Sequence, residues 1–396
     1  MGNKGTFSLN KTKPFYSWYQ YVEGYSEELV STEVAKLKNV HSIFDPFGGS
    51  GTTMIYCSLN GMKSYYSEIN PFMEWVSNTK INSARKAYKE IDKVQFYREV
   101  ILNKIKLFKA NSISLPDDGF NKFYDEIVRK KLLYVRKIID KNIKENYLKD
   151  IFLIALISNT VKVSNMQKNG DLRYATEKEM ARKNKDVFAL YETSLDAVIS
   201  DLIEHGNELT EDTICLAPDS RDIEGEDMVD CIITSPPYLN GTNYIRNTKL
   251  ELNLLGILKN EDDLPNFHSK GIIAGINNVS RKQNLSFKHF DFVDEVVNEL
   301  EKVAYDKRIP LMILGYFDNM YYVFSKMKKI LRNGGTLSLD IGDSQFSGVH
   351  IKTHDLLEKI ANLNGFVKYS EEIVRKRVSN GGMELSQRIL RFKLEK

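Results

Sequence analysis

Ser235, Pro236, Pro237 and Tyr238 close an apolar run, Asp230-Cys231-Ile232-Ile233-Thr234, and as a set they could hold both the edge and the face of a flat heterocycle. Two consecutive prolines end a strand in a rigid extended turn whose carbonyls are not taken up by a continuing ladder. Those carbonyls and a neighbouring hydroxyl can accept hydrogen bonds from an exocyclic amino group, while the tyrosine ring stacks on a base extruded from its helix. A second cluster is Asp45-Pro46-Phe47-Gly48-Gly49-Ser50-Gly51-Thr52-Thr53. Its glycines let the backbone turn sharply and approach a ligand with no Cβ in the way. It is not a phosphate-binding P-loop, because no Gly-Lys-Ser/Thr follows, and it lacks the third glycine of the dinucleotide pattern. Glu68, in Tyr65-Tyr66-Ser67-Glu68-Ile69-Asn70-Pro71, lies about 20 residues further on, the spacing at which a carboxylate ending a second strand binds the two hydroxyls of a ribose.

These residues need a strand, turn and helix repeat to position them. His41 to Asp45 reads as a strand, followed by the glycine turn and a helix from Thr52; Lys63 to Ser67 reads as the next strand. Val229 to Thr234 and Thr336 to Ile341 are further strands, and Met320 to Leu331 is an amphipathic helix stopped by Asn333-Gly334-Gly335. Phe366 to Val378 and Leu385 to Leu394 read as a closing antiparallel pair. Between the two α/β parts, Arg85 to His205 lacks strand alternation and carries apolar residues at helical spacing, including Ile101, Ile105 and Phe108. The expected division is 1–84, the N-terminal and cofactor-binding half; 85–205, a helical insertion; and 206–396, the remainder, with an irregular polar stretch over about 240–310 suited to recognition.

The 396 residues, 42% hydrophobic and 28% charged, can bury a full core. The start of the chain has no apolar segment of the secretory type, so the expected location is the cytoplasm, with no membrane association. Three widely spaced cysteines, Cys57, Cys215 and Cys231, suggest neither a disulfide framework nor a metal site. The formal charge of +3 hides an asymmetry: residues 80–173 hold 21 Lys+Arg against 11 Asp+Glu, leaving 35 against 42 elsewhere. A basic segment of this kind matches the footprint of a nucleic-acid backbone, and equally the solvated face of amphipathic helices.

Asp45 to Thr53 together with Thr234 to Tyr238 resembles the S-adenosylmethionine-dependent amino-methyltransferases of DNA, whose signatures are a D-P-F-x-G-x-G-T cofactor loop and a [DNS]-P-P-[YFW] turn. Pro14-Phe15-Tyr16-Ser17-Trp18 and Gly24-Tyr25-Ser26 resemble the family's cover over the methionine end of the cofactor, and Ile214 to Ile223 resembles the strand whose acidic residue, here Asp219, faces the adenine. The resemblance covers about residues 14–84 and 213–394. It implies an α/β, doubly wound class I methyltransferase-like fold with a mostly parallel seven-stranded sheet and a C-terminal antiparallel hairpin. It also implies that S-adenosylmethionine is held by Tyr16, Asp45, Pro46, Phe47, Gly48, Gly49, Gly51, Thr52, Glu68 and Asp219.

Serine before Pro-Pro-Tyr is typical of the family's cytosine-N4 enzymes, and aspartate or asparagine of its adenine-N6 enzymes. The resemblance therefore favours cytosine N4 in double-stranded DNA, with adenine N6 and an RNA base as alternatives. Ring-carbon methylation needs a thiolate, usually in a Pro-Cys pair, and no cysteine here follows proline. Ser235, Pro236, Pro237 and Tyr238 would carry the transfer. Arg246, Asn277, Asn278, Arg281, Lys282 and Gln283 are candidates for reading bases, because arginines and short amides suit base edges whereas lysines mainly hold phosphates. A cognate restriction endonuclease as partner is implied by the family alone.

Overall fold

The computed structural model describes residues 5–21, 23–239, 244–268, 271–279, 286–379 and 381–396. Its strands in chain order are β1 (Ser42–Asp45), β2 (Lys63–Ser67), β3 (Met166–Asn169), β4 (Asp171–Tyr174), β5 (Thr213–Ala217), β6 (Val229–Thr234), β7 (Leu331–Gly342), β8 (Ser344–Phe346), β9 (Val349–Ile351), β10 (Phe366–Val378) and β11 (Glu384–Leu394). Seven of them form one sheet in the order β10-β11-β7-β6-β1-β2-β5. The run from β5 to β7 is parallel, and β11 is antiparallel to both β7 and β10. This is the doubly wound, class I methyltransferase-like sheet with its C-terminal antiparallel pair.

The central strands are buried on both faces, which is why they read as short apolar runs rather than as alternating ones. Ile43, Cys231 and Ile233 pack on one face with Leu29, Val30 and Cys57, while Phe44 and Ile232 pack on the other with the helices Asp291–Val303, Ile309–Ile330 and Thr353–Leu363. The chain winds outward from β1 through β2 to β5, then returns to the centre and winds the other way from β6. The switch point therefore falls between the carboxyl ends of β1 and β6, the crevice where open α/β sheets bind ligands.

Residues 91–205 form four long helices, Ile91–Ile105, Glu126–Asn142, Asn146–Ile157 and Val187–His205, with shorter turns between them. Their apolar faces share one cluster with Phe15, Trp18, Phe72 and Val76 from the N-terminal part and with Leu250 and Leu254 after the Pro236-Pro237 turn. The segment also contains a β3–β4 ribbon at Met166–Tyr174, absent from the sequence reading. Its turn glycine, Gly170, has φ 78°, and Lys168-Asn169-Gly170-Asp171 carries the Asn-Gly signal of a tight hairpin. The helix read as Met320 to Leu331 in fact begins at Ile309, with Pro310 in its first turn. The Asn333-Gly334-Gly335 stretch does not stop the helix, which ends at Ile330; it lies inside β7, which passes through it with a register shift against β6.

The outer strands are tied to the N-terminal helix Glu27–Ala35 by a buried ion pair. Arg391 donates from Nε and Nη2 to the two oxygens of Glu33, each at 2.7 Å, and Ser338 Oγ donates to Glu33 at 2.8 Å. Without the arginine the buried Glu33 keeps only Lys36, at 2.7 Å, and Ser338 as partners among the described residues, so Arg391→Met is expected to cost about 1–3 kcal/mol. The double variant Glu33→Leu/Arg391→Met is expected to regain most of that loss in urea unfolding. Equal destabilisation in the two variants would contradict the assignment.

Candidate active site

A cavity of about 310 Å³ opens at the switch point and is walled by the glycine loop, the turn after β2, the loop after β5 and the Ser235-Pro236-Pro237-Tyr238 turn. Its size suits a small-molecule site. The two chemical loops are joined by Asp45, a side chain only 1% exposed. Thr234 Oγ1 donates to Asp45 Oδ1 at 2.6 Å, Phe47 N–H donates to the same oxygen at 3.0 Å, and the Tyr25 hydroxyl donates to Oδ2 at 2.6 Å. One carboxylate thus fixes the glycine loop, the Ser235-Pro236-Pro237-Tyr238 turn and the N-terminal segment at Tyr25 relative to one another. Asp45 does not line the cavity, so its place is behind the loop rather than against a ligand.

The glycine loop is clamped on all sides. Gly48 N–H donates to the Ser67 carbonyl at 2.9 Å, and Gly49 N–H donates to Glu68 Oε2 at 2.8 Å. Ser77 Oγ donates to the Gly49 carbonyl at 2.9 Å. A Cβ at Gly48 would lie 2.8 Å from the Tyr66 ring, and Gly51, at φ 87°, starts the helix Thr52–Leu59 from a left-handed conformation open to glycine. Beneath the loop Lys80, fully buried in a π-helical turn, donates to the carbonyls of Tyr16, Tyr19 and Ser50, each at 3.2 Å. Burial pushes its ammonium down to about 7. Lys80 was not legible as a site residue; a lone lysine in a polar stretch carries no such signal.

Glu68 lines the cavity, as do Pro46, Phe47, Gly48, Gly49, Thr52 and Asp219. Asn70 N–H also donates to Glu68, and burial holds the carboxyl up at about 7 against these two donors. Ser50 and Ser67 line the same wall, and neither hydroxyl has a partner among the described residues. Asp219 is engaged by Arg221, whose Nη2 donates to it at 2.6 Å. Tyr16 departs from the expected role: the Tyr16–Trp18 turn is buried and bound to the insertion, with Phe15 N–H and Trp18 Nε1 both donating to Asp201. Of the two N-terminal stretches read as cover, it is the second that reaches the cavity, through Gly24 and Tyr25, and Gly5, Thr6, Tyr21 and Glu23 line it beside them. Gly51, like Tyr16, is not part of the lining.

Ser235, Pro236, Pro237 and Tyr238 all line the cavity. The Tyr238 ring packs on Gly342, where a Cβ would lie 3.0 Å away, and its hydroxyl donates to Asp340 Oδ2 at 3.2 Å. Asp340, 2% exposed and also bonded by Gln387 Nε2 at 2.9 Å, is held up at about 7 by burial. Both residues line the cavity and neither was picked from the sequence. The available signal was a carboxylate inside the apolar run Leu337 to Ile341, where an unpaired charge is expensive. On the opposite rim Gly271, Ile272, Ala274 and Asn278 complete the wall, held to the helix Ile309–Ile330 by Ile273 N–H donating to Asn319. Arg246 and Asn277 are exposed and do not line the cavity, and Arg281, Lys282 and Gln283 lie outside the described residues. Among the described residues no group of three or more His, Cys, Asp or Glu side chains is placed to hold a metal ion, and no helix is long and apolar enough to cross a membrane.

The doubly wound sheet defines a class I methyltransferase-like fold, and the glycine loop and the Pro-Pro-Tyr turn share the cavity at its switch point. No family model matches the chain. Its sequence is similar to that of the Type II methyltransferase M.AvaI from Nostoc sp., at 25% identity over 414 residues that span 91% of this chain and 81% of the relative. M.BsoBI, a Type II methyltransferase from Geobacillus stearothermophilus, is 24% identical over 443 residues, 96% of this chain and 84% of the relative. M.MjaII, a Type II methyltransferase from Methanocaldococcus jannaschii, is 32% identical over 143 residues, 34% of this chain and 26% of the relative.

Thr234→Val keeps the shape of the side chain and removes one donor from buried Asp45. The expected cost is about 1–3 kcal/mol of stability, read from the denaturation midpoint. An unchanged midpoint would show that Asp45 does not depend on this bond.

Proposed function

We propose that the chain is a DNA methyltransferase that uses S-adenosylmethionine to methylate the exocyclic amine of a flipped-out base, cytosine N4 in the first instance. The observation that carries this reading is the Thr234–Asp45 hydrogen bond, which brings the glycine loop and the Ser-Pro-Pro-Tyr turn to one cavity. The chemistry of the lining fits the cofactor: an acid at Glu68 for two ribose hydroxyls, two unpartnered hydroxyls at Ser50 and Ser67, and a glycine backbone open to close approach. S-adenosylmethionine supplies a methyl group already activated on a sulfonium, so transfer to nitrogen needs no covalent enzyme intermediate.

The protein's share of the chemistry is placement. Ser235 Oγ and the Pro236 carbonyl accept from the amino hydrogens and turn the nitrogen lone pair toward the methyl. Tyr238 stacks on the base, its tilt fixed by the bond to Asp340 and by packing on Gly342. The match to relatives named Type II methyltransferases supports double-stranded DNA as the substrate and a cognate restriction endonuclease as the partner enzyme. Ser235 favours cytosine over adenine.

Labelled S-adenosylmethionine supplied with duplex DNA and transfer RNA in parallel tests the substrate class: label is expected in DNA, and label confined to RNA would overturn the reading. Ser235→Ala and Tyr238→Ala are each expected to lower the transfer rate by roughly 100-fold through misplacement of the base, with cofactor affinity kept. Full activity in both variants would remove the turn from the mechanism.

Glu68 gives a pH dependence. With its carboxyl held up at about 7, the acid is neutral below that pH and cannot accept from both ribose hydroxyls; above it, the ionised form can. Cofactor affinity is therefore expected to be highest above pH 7 and to fall by up to about tenfold per pH unit below it. Glu68→Gln is expected to bind weakly and with no such slope. Calorimetric titration across this range checks both, and a flat wild-type profile would contradict the role of Glu68.

A further inference from the structure

β10 is the edge strand of the sheet and carries three consecutive cations, Arg375, Lys376 and Arg377. Charges on an edge strand discourage edge-to-edge pairing wherever they point. Here their direction is set by a bulge. β10 pairs Ile373 with Arg388 but Arg375 with Gln387, so Val374 is an extra residue between two paired positions. Side chains alternate along a strand, and one inserted residue exchanges the faces of everything after it. Ile373, Lys376 and Arg388 accordingly line a second depression on one side, while Arg375, Arg377 and Gln387 line the main cavity on the other. In regular alternation from Ile373, Val374 and Lys376 would face the cavity instead.

The two faces also differ in how their charge is met. Lys376 pairs with Glu384 at 2.9 Å, and Arg388 pairs with Glu371 at 2.7 Å. Arg377 reaches the Asp343 carbonyl at 3.3 Å, and among the described residues neither Arg375 nor Arg377 forms an ion pair with a carboxylate. Both are exposed at the cavity wall. Their neighbour Gln387 donates to Asp340, which accepts from Tyr238, so they stand on the side of the catalytic turn and not on that of Glu68. Two guanidinium groups at this position offer forked donors for phosphate oxygens.

We propose that Arg375 and Arg377 grip the backbone phosphates of the nucleotide whose base enters the cavity, with the Val374 bulge aiming them there. This rests on the DNA methyltransferase reading. Extruding a base costs stacking and pairing energy, and phosphate contacts made only by the extruded strand would offset that cost.

The test uses the full chain, labelled S-adenosylmethionine and unmethylated phage DNA, with the KM for DNA followed over about 50 to 200 mM salt. Arg375→Gln/Arg377→Gln is expected to raise that KM roughly tenfold or more and to shrink the salt slope by about one for each arginine. Calorimetric affinity for S-adenosylmethionine is expected to stay at the wild-type value, which also reports that the variant is folded. Lys376→Gln, on the other face, is expected to change neither quantity. Wild-type KM and salt slope in the double variant would overturn the inference while leaving the methyltransferase reading intact, and so would an equal effect from Lys376→Gln. A wild-type protein that transfers no label to DNA would overturn both.

Discussion

Asp45 is the constraint on which the site depends. Its carboxylate is buried, and a buried carboxylate persists only when its oxygens are met by donors. The donors come from three parts of the chain: Tyr25 from the N-terminal segment, Phe47 from the glycine loop and Thr234 from the last position of β6. Satisfying one side chain therefore brings residues far apart in sequence to a common centre. Burial raises the carboxyl's affinity for a proton, and the hydroxyl and amide donors oppose that rise. The result is a polar pin at the switch point of an otherwise apolar sheet, and both chemical loops leave from it.

A second pin lies under the first. Lys80 holds the Ser50 carbonyl of the glycine loop and the carbonyls of Tyr16 and Tyr19 from a π-helical turn, an irregularity common at functional sites. The helical segment 91–205 holds Phe15 and Trp18 beside these carbonyls through Asp201, and its ribbon brings Lys168 within 3.6 Å of Glu23 on the cavity wall. This segment and the N-terminal part share one apolar cluster, so the helices act as a brace for the cavity as well as a basic surface. Two of the cations counted in the basic stretch, Lys80 and Arg129, are buried, the latter against Asp118 at 2.7 Å. The charge presented to solvent is smaller than composition alone suggests.

Much of the frame was legible because local signals agreed with it. Lys63 to Ser67, Val229 to Thr234 and Phe366 to Val378 run as strands over the residues their apolar patterns mark, and Thr52 begins a helix directly after the glycine turn. What was not legible depends on contacts between distant residues. Two exceptions carry local signals: Asn169-Gly170 marks the turn of the β3–β4 ribbon, and Pro310 marks the start of Ile309–Ile330. Tyr16 has the residue type of a ligand contact, but the bonds of Phe15 and Trp18 to Asp201 turn that segment into the interior. Asp340 and Gln387 reach the cavity because β11 runs antiparallel beside β7, a pairing of strands nearly fifty residues apart that no local pattern encodes. The faces of Arg375 and Arg377 follow from a single bulge, which sequence alternation cannot anticipate.

The most direct measurement is long-read sequencing of DNA from cells that express the protein in a host lacking other modification. N4-methylcytosine is expected at one short recurring sequence, with the mark absent when Tyr238 is replaced by alanine. Unmodified DNA, or methylation at a ring carbon, would contradict it.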